Sequence, residues 1–135
     1  MALYPKVETQ LSVFMENKPG RLAKICSIMG RAGVNIHSMS VHDTVDHSIV
    51  RLIVDNATKA LILLEEEGLY IITQKVVVVT IDNRPDALSQ IARKLAIADQ
   101  NIEYAYCTAL PSQESGMLVL KTSDPDETVN VLEEE

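Results

Sequence analysis

The stretch Asn17–Gly20, which reads NKPG, has residue types suited to binding a small anion. Pro19 fits the first turn of a helix, where its missing N–H would have had no partner, and Leu22 and Ile25 continue at helical spacing. A helix N-terminus presents unpaired N–H groups with partial positive charge. Gly20 would let a ligand approach that backbone closely, although glycine inside a helix costs about 1 kcal/mol relative to alanine. The stretch predicts a helix N-terminus that a ligand can approach closely, with a tight strand-to-helix turn as the alternative reason for Gly20.

The same turn occurs twice because the chain contains an internal repeat. Residues 2–36 align with residues 68–102 at an offset of 66 without a gap, and ten of these 35 positions are identical. Further on the offset becomes 68, where Leu64–Glu67 matches Leu132–Glu135. Self-similarity at a fixed offset indicates duplication, and the two extra residues are predicted in a hairpin around residues 111–115.

Each copy has the pattern of strand, helix, strand, strand and helix. Apolar β-branched runs predict strands, and apolar residues three and four positions apart predict helices. This order is typical of ferredoxin-like βαββαβ units, so an α+β fold is predicted, with antiparallel sheets packed against helices. The predicted elements are strand 11–15, helix 22–32, strands 35–41 and 49–54, helix 57–67, strand 69–74, strand 76–81, helix 88–98, strands 101–109 and 117–121, and helix 126–135.

Two domains are predicted, at residues 10–75 and 76–135. The first domain has a fourth strand at 69–74, whereas the second copy ends with no residues left for that strand. Because Leu3 and Tyr4 align with the head of strand 69–74, segment 2–9 is predicted to supply the missing strand by exchange. An ordered tail beside an open three-stranded half is the alternative. Pro5 has no N–H, so the segment is expected at an edge or only partly paired.

The sequence LSVFMENKPGRL at Leu11–Leu22, together with Ala32–Ile36 (AGVNI), resembles the ACT domain. This family consists of small ferredoxin-like modules that bind amino acids and regulate metabolic enzymes. The resemblance covers nearly the whole chain, once per copy. The first copy is similar to the regulatory domain of phosphoglycerate dehydrogenase and to the small subunit of acetolactate synthase. The resemblance implies a tandem ACT protein that binds a free amino acid at the interface between ACT domains.

The resemblance also implies particular binding residues. In members that bind serine, an asparagine just before Pro-Gly and another in the Val-Asn-Ile segment contact the ligand across a domain interface. Asparagine both donates and accepts hydrogen bonds, so it suits the ammonium or the carboxylate of an amino acid. Serine binders place a histidine where this sequence has Met15, which favours a ligand with an apolar side chain. The stronger site is expected at Met15, Asn17, Pro19, Gly20, Arg21 and Leu22, completed by Asn101 and Ile102.

A weaker second site is expected at the other turn. Asp86 stands there at the position of Gly20. Its carboxylate would favour the helix dipole but would repel the carboxylate of a ligand. The residues of this weaker site are Asn83, Asp86, Ala87, Leu88, Asn35 and Ile36.

Charge and cysteine usage exclude several other functions. A net charge of −7 argues against a nucleic-acid partner, which would need clustered Lys and Arg. No apolar run approaches the roughly 20 residues that span a bilayer, and the N-terminus lacks a signal-peptide pattern. Cys26 and Cys107 have no metal or redox spacing, so buried free thiols in a reducing cytoplasm are expected.

No catalytic or metal site is predicted. The sequence contains no nucleophile elbow and no phosphate-cradling glycine loop, and no cofactor is expected. His37 and His42 fall on opposite faces of a regular strand, so they are interpreted, with Asp46 and His47, as hairpin surface.

The resulting hypothesis is a non-catalytic amino-acid sensor that regulates amino-acid metabolism. The alternatives are a regulatory subunit of a biosynthetic enzyme, like the acetolactate synthase small subunit, and an assembly scaffold without ligand. Copies of about 65 residues bury little surface alone and exposed strand edges invite pairing, so a homodimer is expected.

Overall fold

The described residues contain six strands and four helices. In a computed structural model of the chain, placement is described for residues 3–44 and 46–134. The predicted α+β class and the repeated strand–helix–strand–strand–helix order are confirmed. Of the predicted elements, the ends at Ala2 and Glu135 lie outside the described residues. The elements are β1 (Lys6–Glu16), α1 (Arg21–Arg31), β2 (Ile36–Asp43), β3 (His47–Val54), α2 (Ala57–Glu66), β4 (Tyr70–Asp82), α3 (Ala87–Ile97), β5 (Ile102–Thr108), β6 (Ser115–Thr122) and α4 (Pro125–Glu133).

β1 and β4 are long strands where the sequence predicted shorter, separate ones. β4 runs without interruption through the predicted strands 69–74 and 76–81. β1 begins at Lys6 rather than Leu11, directly after Pro5. Neither strand contains Gly, Pro or Asn, the residues that most readily form turns, so the extended backbone continues.

The chain divides into two compact units whose boundaries fall inside β1 and β4. The first unit comprises residues 9–74, and the described part of the second unit comprises residues 3–8 and 75–134. The first unit has antiparallel strands in the order β2-β3-β1. The second unit has antiparallel strands in the order β4-β6-β5.

The core of the first unit lies between its two helices and one sheet face. Alternate residues of β1 and β3 point to this face, as the strand period requires, and α1 and α2 contribute their apolar sides. Full burial of each large side chain contributes about 1.5–3 kcal/mol. The buried residues are Leu11, Val13, Met15, Ile25, Ile28, Met29, Val34, Val50, Leu52, Val54, Ala60 and Leu64.

The second unit has a separate core that includes a residue from the start of the chain. Leu3 is 8% exposed and belongs to this cluster. Its carbonyl oxygen accepts a hydrogen bond from the Thr80 N–H at 2.8 Å. The described part of the N-terminal segment therefore has both a core contact and a backbone hydrogen bond within this unit. The other buried members are Val77, Val79, Ile81, Ile91, Leu95, Leu118, Leu120, Val131 and Leu132.

Both cysteines are exposed, so the prediction of buried thiols is wrong. Cys26 follows the buried Ile25 by one residue, which turns it about 100° away from the core face of α1. Cys107 follows half-buried Tyr106 in β5 and points to the opposite face. Among residues 3–44 and 46–134, no helix is long and apolar enough to cross a membrane.

Candidate functional site

The turn between β1 and α1 requires glycine and leaves space beside it. The Arg21 N–H donates to the Lys18 carbonyl at 3.3 Å, which closes the turn. Gly20 has a φ of 87° and a ψ of −12°, in the left-handed region that other residues enter at a cost of about 1–2 kcal/mol. A Cβ atom on Gly20 would meet no atom of residues 3–44 and 46–134 within 4 Å. The backbone geometry alone explains the glycine, and the space around it remains open to a ligand.

The N-terminus of α1 has no side-chain cap, unlike the second helix of each repeat. Asn56 caps α2 by accepting from the Lys59 N–H at 3.1 Å, and Asp124 caps α4 in the same way at 3.2 Å. Gly20 has no side chain to cap α1, and the first turn of α1 contains no acidic residue. The Arg21 N–H is used by the Lys18 carbonyl, so the N–H groups that follow it in the first turn of α1 are the ones available to an anion.

Charged side chains of both signs surround this turn. Lys18 Nζ lies 2.7 Å from Glu16 Oε2, while Arg21 Nη2 lies 3.8 Å from the same oxygen. Lys24 Nζ lies 3.1 Å from Glu67 Oε2. The hydrogen bond and the charge of Lys18, with a further contribution from Arg21, lower the pKa of Glu16. Glu16 therefore stays ionised at pH values below the ordinary titration range of a glutamate. The stability that the ionised side chain contributes is lost as the pH falls through this lowered pKa.

An open groove of about 520 Å³ lies beside the turn, entirely within the first unit. Its walls are Phe14, Met15, Glu16, Arg21, His47, Glu67, Gly68, Leu69 and Tyr70. A narrower recess of about 50 Å³ next to it is lined by Met15, Arg21, Lys24, Ile25, Glu67 and Leu69. Of the residues predicted for the stronger site, Met15 and Arg21 line both spaces. Asn17, Pro19 and Gly20 line neither, and Leu22 packs against the core of the first unit.

The turn between α2 and β4 supplies the groove residues that sequence reasoning missed. The Leu64 carbonyl accepts hydrogen bonds from the Glu67 N–H at 3.2 Å and the Leu69 N–H at 3.3 Å. The Gly68 N–H donates to the Glu65 carbonyl at 2.9 Å. This bonding closes the helix C-terminus and directs Glu67 and Leu69 toward α1. The Glu-Gly pair after an apolar helix was the available signal for the turn, but not for its position beside Arg21.

The equivalent turn in the second unit carries a carboxylate that is already engaged. Asp86 has a φ of −96° and a ψ of 0°, so no left-handed residue is needed there. Its Oδ1 lies 3.1 Å from Arg84 Nε, and its Oδ2 accepts from Gln90 Nε2 at 2.8 Å. Ala87 is buried and Leu88 is 45% exposed. The two copies therefore differ in charge and in backbone geometry at the same position.

The Asn83 side chain is hydrogen-bonded to the loop between β5 and β6. Its Nδ2 donates to the carbonyls of Leu110 and Gln113, both at 3.0 Å, and its N–H donates to the Glu114 carbonyl at 2.9 Å. Both donors of the amide are thus used within the β5–β6 connection. The Asn17 side chain is exposed and has no hydrogen bond to any residue within 3–44 and 46–134.

The remaining predicted residues lie at the starts of β2 and β5. The Asn35 N–H donates to Asp55 Oδ1 at 3.0 Å, and the Asn35 carbonyl accepts from the Asp55 N–H at 3.1 Å. Ile36 packs against the core of the first unit. In the second unit Asn101 is exposed and Ile102 packs against that unit's core.

The two asparagines should therefore respond differently to truncation. Asn83→Ala is expected to lower the free energy of unfolding by about 1–2 kcal/mol, because two side-chain hydrogen bonds are lost. Asn17→Ala, its control at the equivalent position, should change that free energy by less than about 0.5 kcal/mol. Urea denaturation of both variants measures the difference, and equal losses would contradict it.

Histidine side chains do not form a metal centre in the described part of the chain. His47 is bonded through its backbone, since its N–H donates to Thr44 Oγ1 at 3.2 Å. No group of three or more His, Cys, Asp or Glu residues within 3–44 and 46–134 has the geometry to hold a metal ion.

Comparison with known proteins identifies the family. The profile described as "ACT domain pair" matches residues 7–135, and no curated protein matches the chain. The structure is similar to protein BT0572 from Bacteroides thetaiotaomicron, at 29% identity and a TM-score of 0.88, over 95% of this chain and 88% of that chain. The fold is also similar to the ligand-free regulatory subunit of aspartate kinase from Thermus thermophilus, at 16% identity and a TM-score of 0.70, over 95% and 93% of the two chains.

A third similar structure is E. coli aspartokinase III in complex with lysine and aspartate, at 12% identity and a TM-score of 0.60. That match covers 98% of this chain and 31% of the larger one. Since the ACT domain pair profile spans all but the first six residues, the chain belongs to the ACT domain family as a tandem pair.

Proposed function

We propose that this protein is a non-catalytic sensor that binds a free amino acid at the start of α1 and regulates amino-acid metabolism. The observation that carries the proposal is the uncapped N-terminus of α1 with open space at Gly20. A carboxylate placed there accepts hydrogen bonds from the N–H groups that follow that of Arg21 and interacts favourably with the helix dipole. The Asn17 amide, which has no hydrogen bond to any residue within 3–44 and 46–134, lies beside the same turn.

The amino-acid class is supported by what surrounds the turn. Cations, carboxylates and apolar side chains all lie near α1 within the first unit. An α-amino acid needs these three kinds of group, for its carboxylate, its ammonium and its side chain respectively. Met15, a residue that is 8% exposed, lines the groove with an apolar side chain. The similar fold of aspartokinase III, whose structure contains lysine and aspartate, supports the same class.

One ligand per chain is expected. The second turn presents Asp86, whose negative charge opposes an incoming carboxylate, and Asn83 there is already bonded to the β5–β6 connection. Binding at Asn83, Asp86, Ala87 and Leu88 is therefore expected to be weak or absent. Titration calorimetry that returned two equal sites per chain would contradict this.

The sensor is proposed to act as a homodimer in the reducing cytoplasm. β2 is an outer strand of the first unit and β5 is an outer strand of the second, and an exposed edge favours pairing with another chain. The two free cysteines support a reducing compartment. Light scattering at several protein concentrations tests the dimer.

A second candidate is a dedicated regulatory subunit of a biosynthetic enzyme. The specific observation in its favour is size, because this chain covers 93% of the regulatory subunit of aspartate kinase from Thermus thermophilus. Copurification of a catalytic chain with the tagged protein would favour this candidate over a stand-alone sensor.

A thermal-shift screen across the twenty common amino acids tests the proposed function. At a ligand concentration 100 times the Kd, binding raises the free energy of unfolding by about 2.7 kcal/mol, which raises Tm by several degrees. Gly20→Asp, which places the residue of the second copy at this turn, is expected to abolish that rise because its negative charge repels the carboxylate of the ligand.

Gly20→Ala is the matched control for backbone strain. Both substitutions place a side chain at a φ of 87°, so both lower the Tm of the free protein to a similar extent. The alanine variant should keep a ligand-induced rise in Tm. If no amino acid raises the Tm of the wild-type protein, the sensor is wrong and an assembly scaffold is favoured.

A further inference from the structure

The groove between α1 and the α2–β4 turn has charges arranged to match a zwitterion. Arg21 and Lys24 come from α1, while Glu67 faces them from the α2–β4 turn. Lys24 Nζ lies 3.1 Å from Glu67 Oε2, and the apolar recess is lined by Arg21, Lys24 and Glu67 together with apolar side chains. The open groove of about 520 Å³ is within the range of small-molecule sites, and the recess of about 50 Å³ next to it shares Met15, Arg21, Glu67 and Leu69 with the groove.

Arg21 is the cation with unused hydrogen-bonding capacity. Its nearest charged partner is Glu16, at 3.8 Å, which is beyond hydrogen-bond distance. Its side chain is 44% exposed and forms no hydrogen bond to a residue within the described ranges. A planar guanidinium binds a carboxylate with two parallel hydrogen bonds, so Arg21 suits the carboxylate of an incoming ligand.

Glu67 is the anion positioned for an ammonium group. Its Oε2 forms an ion pair with Lys24 Nζ at 3.1 Å, but both side chains are substantially exposed, Lys24 at 55% and Glu67 at 38%. A pair this exposed contributes little to stability. A ligand ammonium can therefore replace or join Lys24 at Glu67 at small cost.

The recess beside these charged groups is aliphatic. Its apolar lining consists of Met15 and Ile25, at 8% and 1% exposed, and half-buried Leu69. Among the described residues, no aromatic or uncharged polar side chain lines the recess. Such a surface favours an aliphatic ligand side chain through burial of apolar area.

We propose that this groove binds an aliphatic α-amino acid, with Arg21 on the carboxylate, Glu67 on the ammonium and Met15, Ile25 and Leu69 around the side chain. This inference rests on the proposed function and names its binding residues and ligand class. It places part of the ligand contact on the α2–β4 turn.

The repeat supplies an internal comparison for this site. At the offset of 66, Ala87 and Gln90 of the second copy correspond to Arg21 and Lys24. Ala87 is buried, and Gln90 is bonded to Asp86. The second copy therefore has neither cation, which agrees with one binding site per chain.

Titration calorimetry with L-leucine as the probe tests the groove. Arg21→Gln and Glu67→Gln are each expected to raise the Kd about ten- to hundredfold, because each removes a charge-assisted hydrogen bond. Leucinamide, which lacks the carboxylate, should bind wild type weakly and should be insensitive to Arg21→Gln. 4-Methylpentanoate, which lacks the ammonium, should be insensitive to Glu67→Gln.

Two matched variants control for charge and for helix stability. Arg31→Gln removes the same charge from the far end of α1, about 15 Å along the helix. Glu66→Gln removes a neighbouring carboxylate that does not line the groove. Both should leave the Kd for L-leucine within twofold of wild type.

The outcomes separate this inference from the proposed function. If an amino acid binds and Gly20→Asp abolishes binding, but Arg21→Gln and Glu67→Gln leave its Kd unchanged, the groove is wrong and the sensor stands. If only amino acids with charged or polar side chains bind, the aliphatic class is wrong and the sensor stands. If no amino acid binds the wild-type protein, both proposals fail.

Discussion

Gly116→Ala is expected to lower the free energy of unfolding by about 2–3 kcal/mol, because the added methyl group has no space. A Cβ atom at this position would lie 2.5 Å from the Thr108 carbonyl oxygen and 2.9 Å from the Ala109 Cβ. The oxygen belongs to the backbone, which cannot turn aside as a flexible side chain would. Gly116 also pairs with Ile81 in the ladder between β4 and β6, so a shift there disturbs two neighbouring strands.

Gly30→Ala is the matched control for this substitution. Gly30 lies within α1, and a Cβ atom there would meet nothing within 4 Å. Alanine in that position should raise the free energy of unfolding by about 0.5–1 kcal/mol. If local space decides the outcome, urea denaturation will show changes in the free energy of unfolding of opposite sign for the two variants. A loss of similar size in both, or none in Gly116→Ala, would contradict the close approach in the hairpin.

The repeated fold could be predicted because its signals are local in sequence. Alternation in Ile49–Val54 and helical spacing from Leu22 each identify an element without any knowledge of its neighbours. The lengths of β1 and β4 were missed because the sequence was divided at the repeat boundaries. The residues between the predicted segments contain no residue that readily forms a turn. Their absence indicates that each strand continues through the boundary.

The candidate site could be predicted only on its α1 side. Met15 and Arg21 adjoin the recognisable turn, whereas Glu67 and Leu69 are more than forty residues away in sequence. Glu67 also ends a run of three glutamates, which is typical of a solvated helix end. Its position beside Lys24 follows from the packing of α2 against the sheet, which residue types alone do not specify.

The role of Asn83 was missed for a different reason. Its partners are the backbone carbonyls of Leu110 and Gln113, and any residue type can supply a carbonyl. The family pattern therefore treats Asn17 and Asn83 as equivalent. The structure distinguishes them, because the Asn83 amide faces two backbone carbonyls and the Asn17 amide has no hydrogen bond to any described residue.

The fold and the proposed groove are connected through Leu64 in α2. Its side chain is fully buried in the core of the first unit, and its carbonyl holds both Glu67 and Leu69. The position of these two groove residues therefore depends on how firmly α2 is packed.

Leu64→Ala is expected to lower the free energy of unfolding by about 2–5 kcal/mol through the cavity it creates, and to weaken binding of L-leucine as well. Leu132→Ala is the matched control, because Leu132 is the equivalent residue of the second copy and is 3% exposed. It should cost a similar free energy of unfolding but leave the Kd unchanged, since none of the described residues 3–8 and 75–134 lines the groove. Urea denaturation and calorimetry on the same samples measure both quantities.

Where Leu64→Ala is not folded by circular dichroism, Leu64→Val makes a smaller cavity at the same position. Any binding defect in it would again arise from a displaced α2–β4 turn, because the substitution leaves every groove side chain in place. Wild-type affinity in a folded, destabilised Leu64 variant would mean that Glu67 and Leu69 do not contact the ligand. An equal loss of affinity in Leu132→Ala would mean that general destabilisation, and not the position of this turn, determines binding.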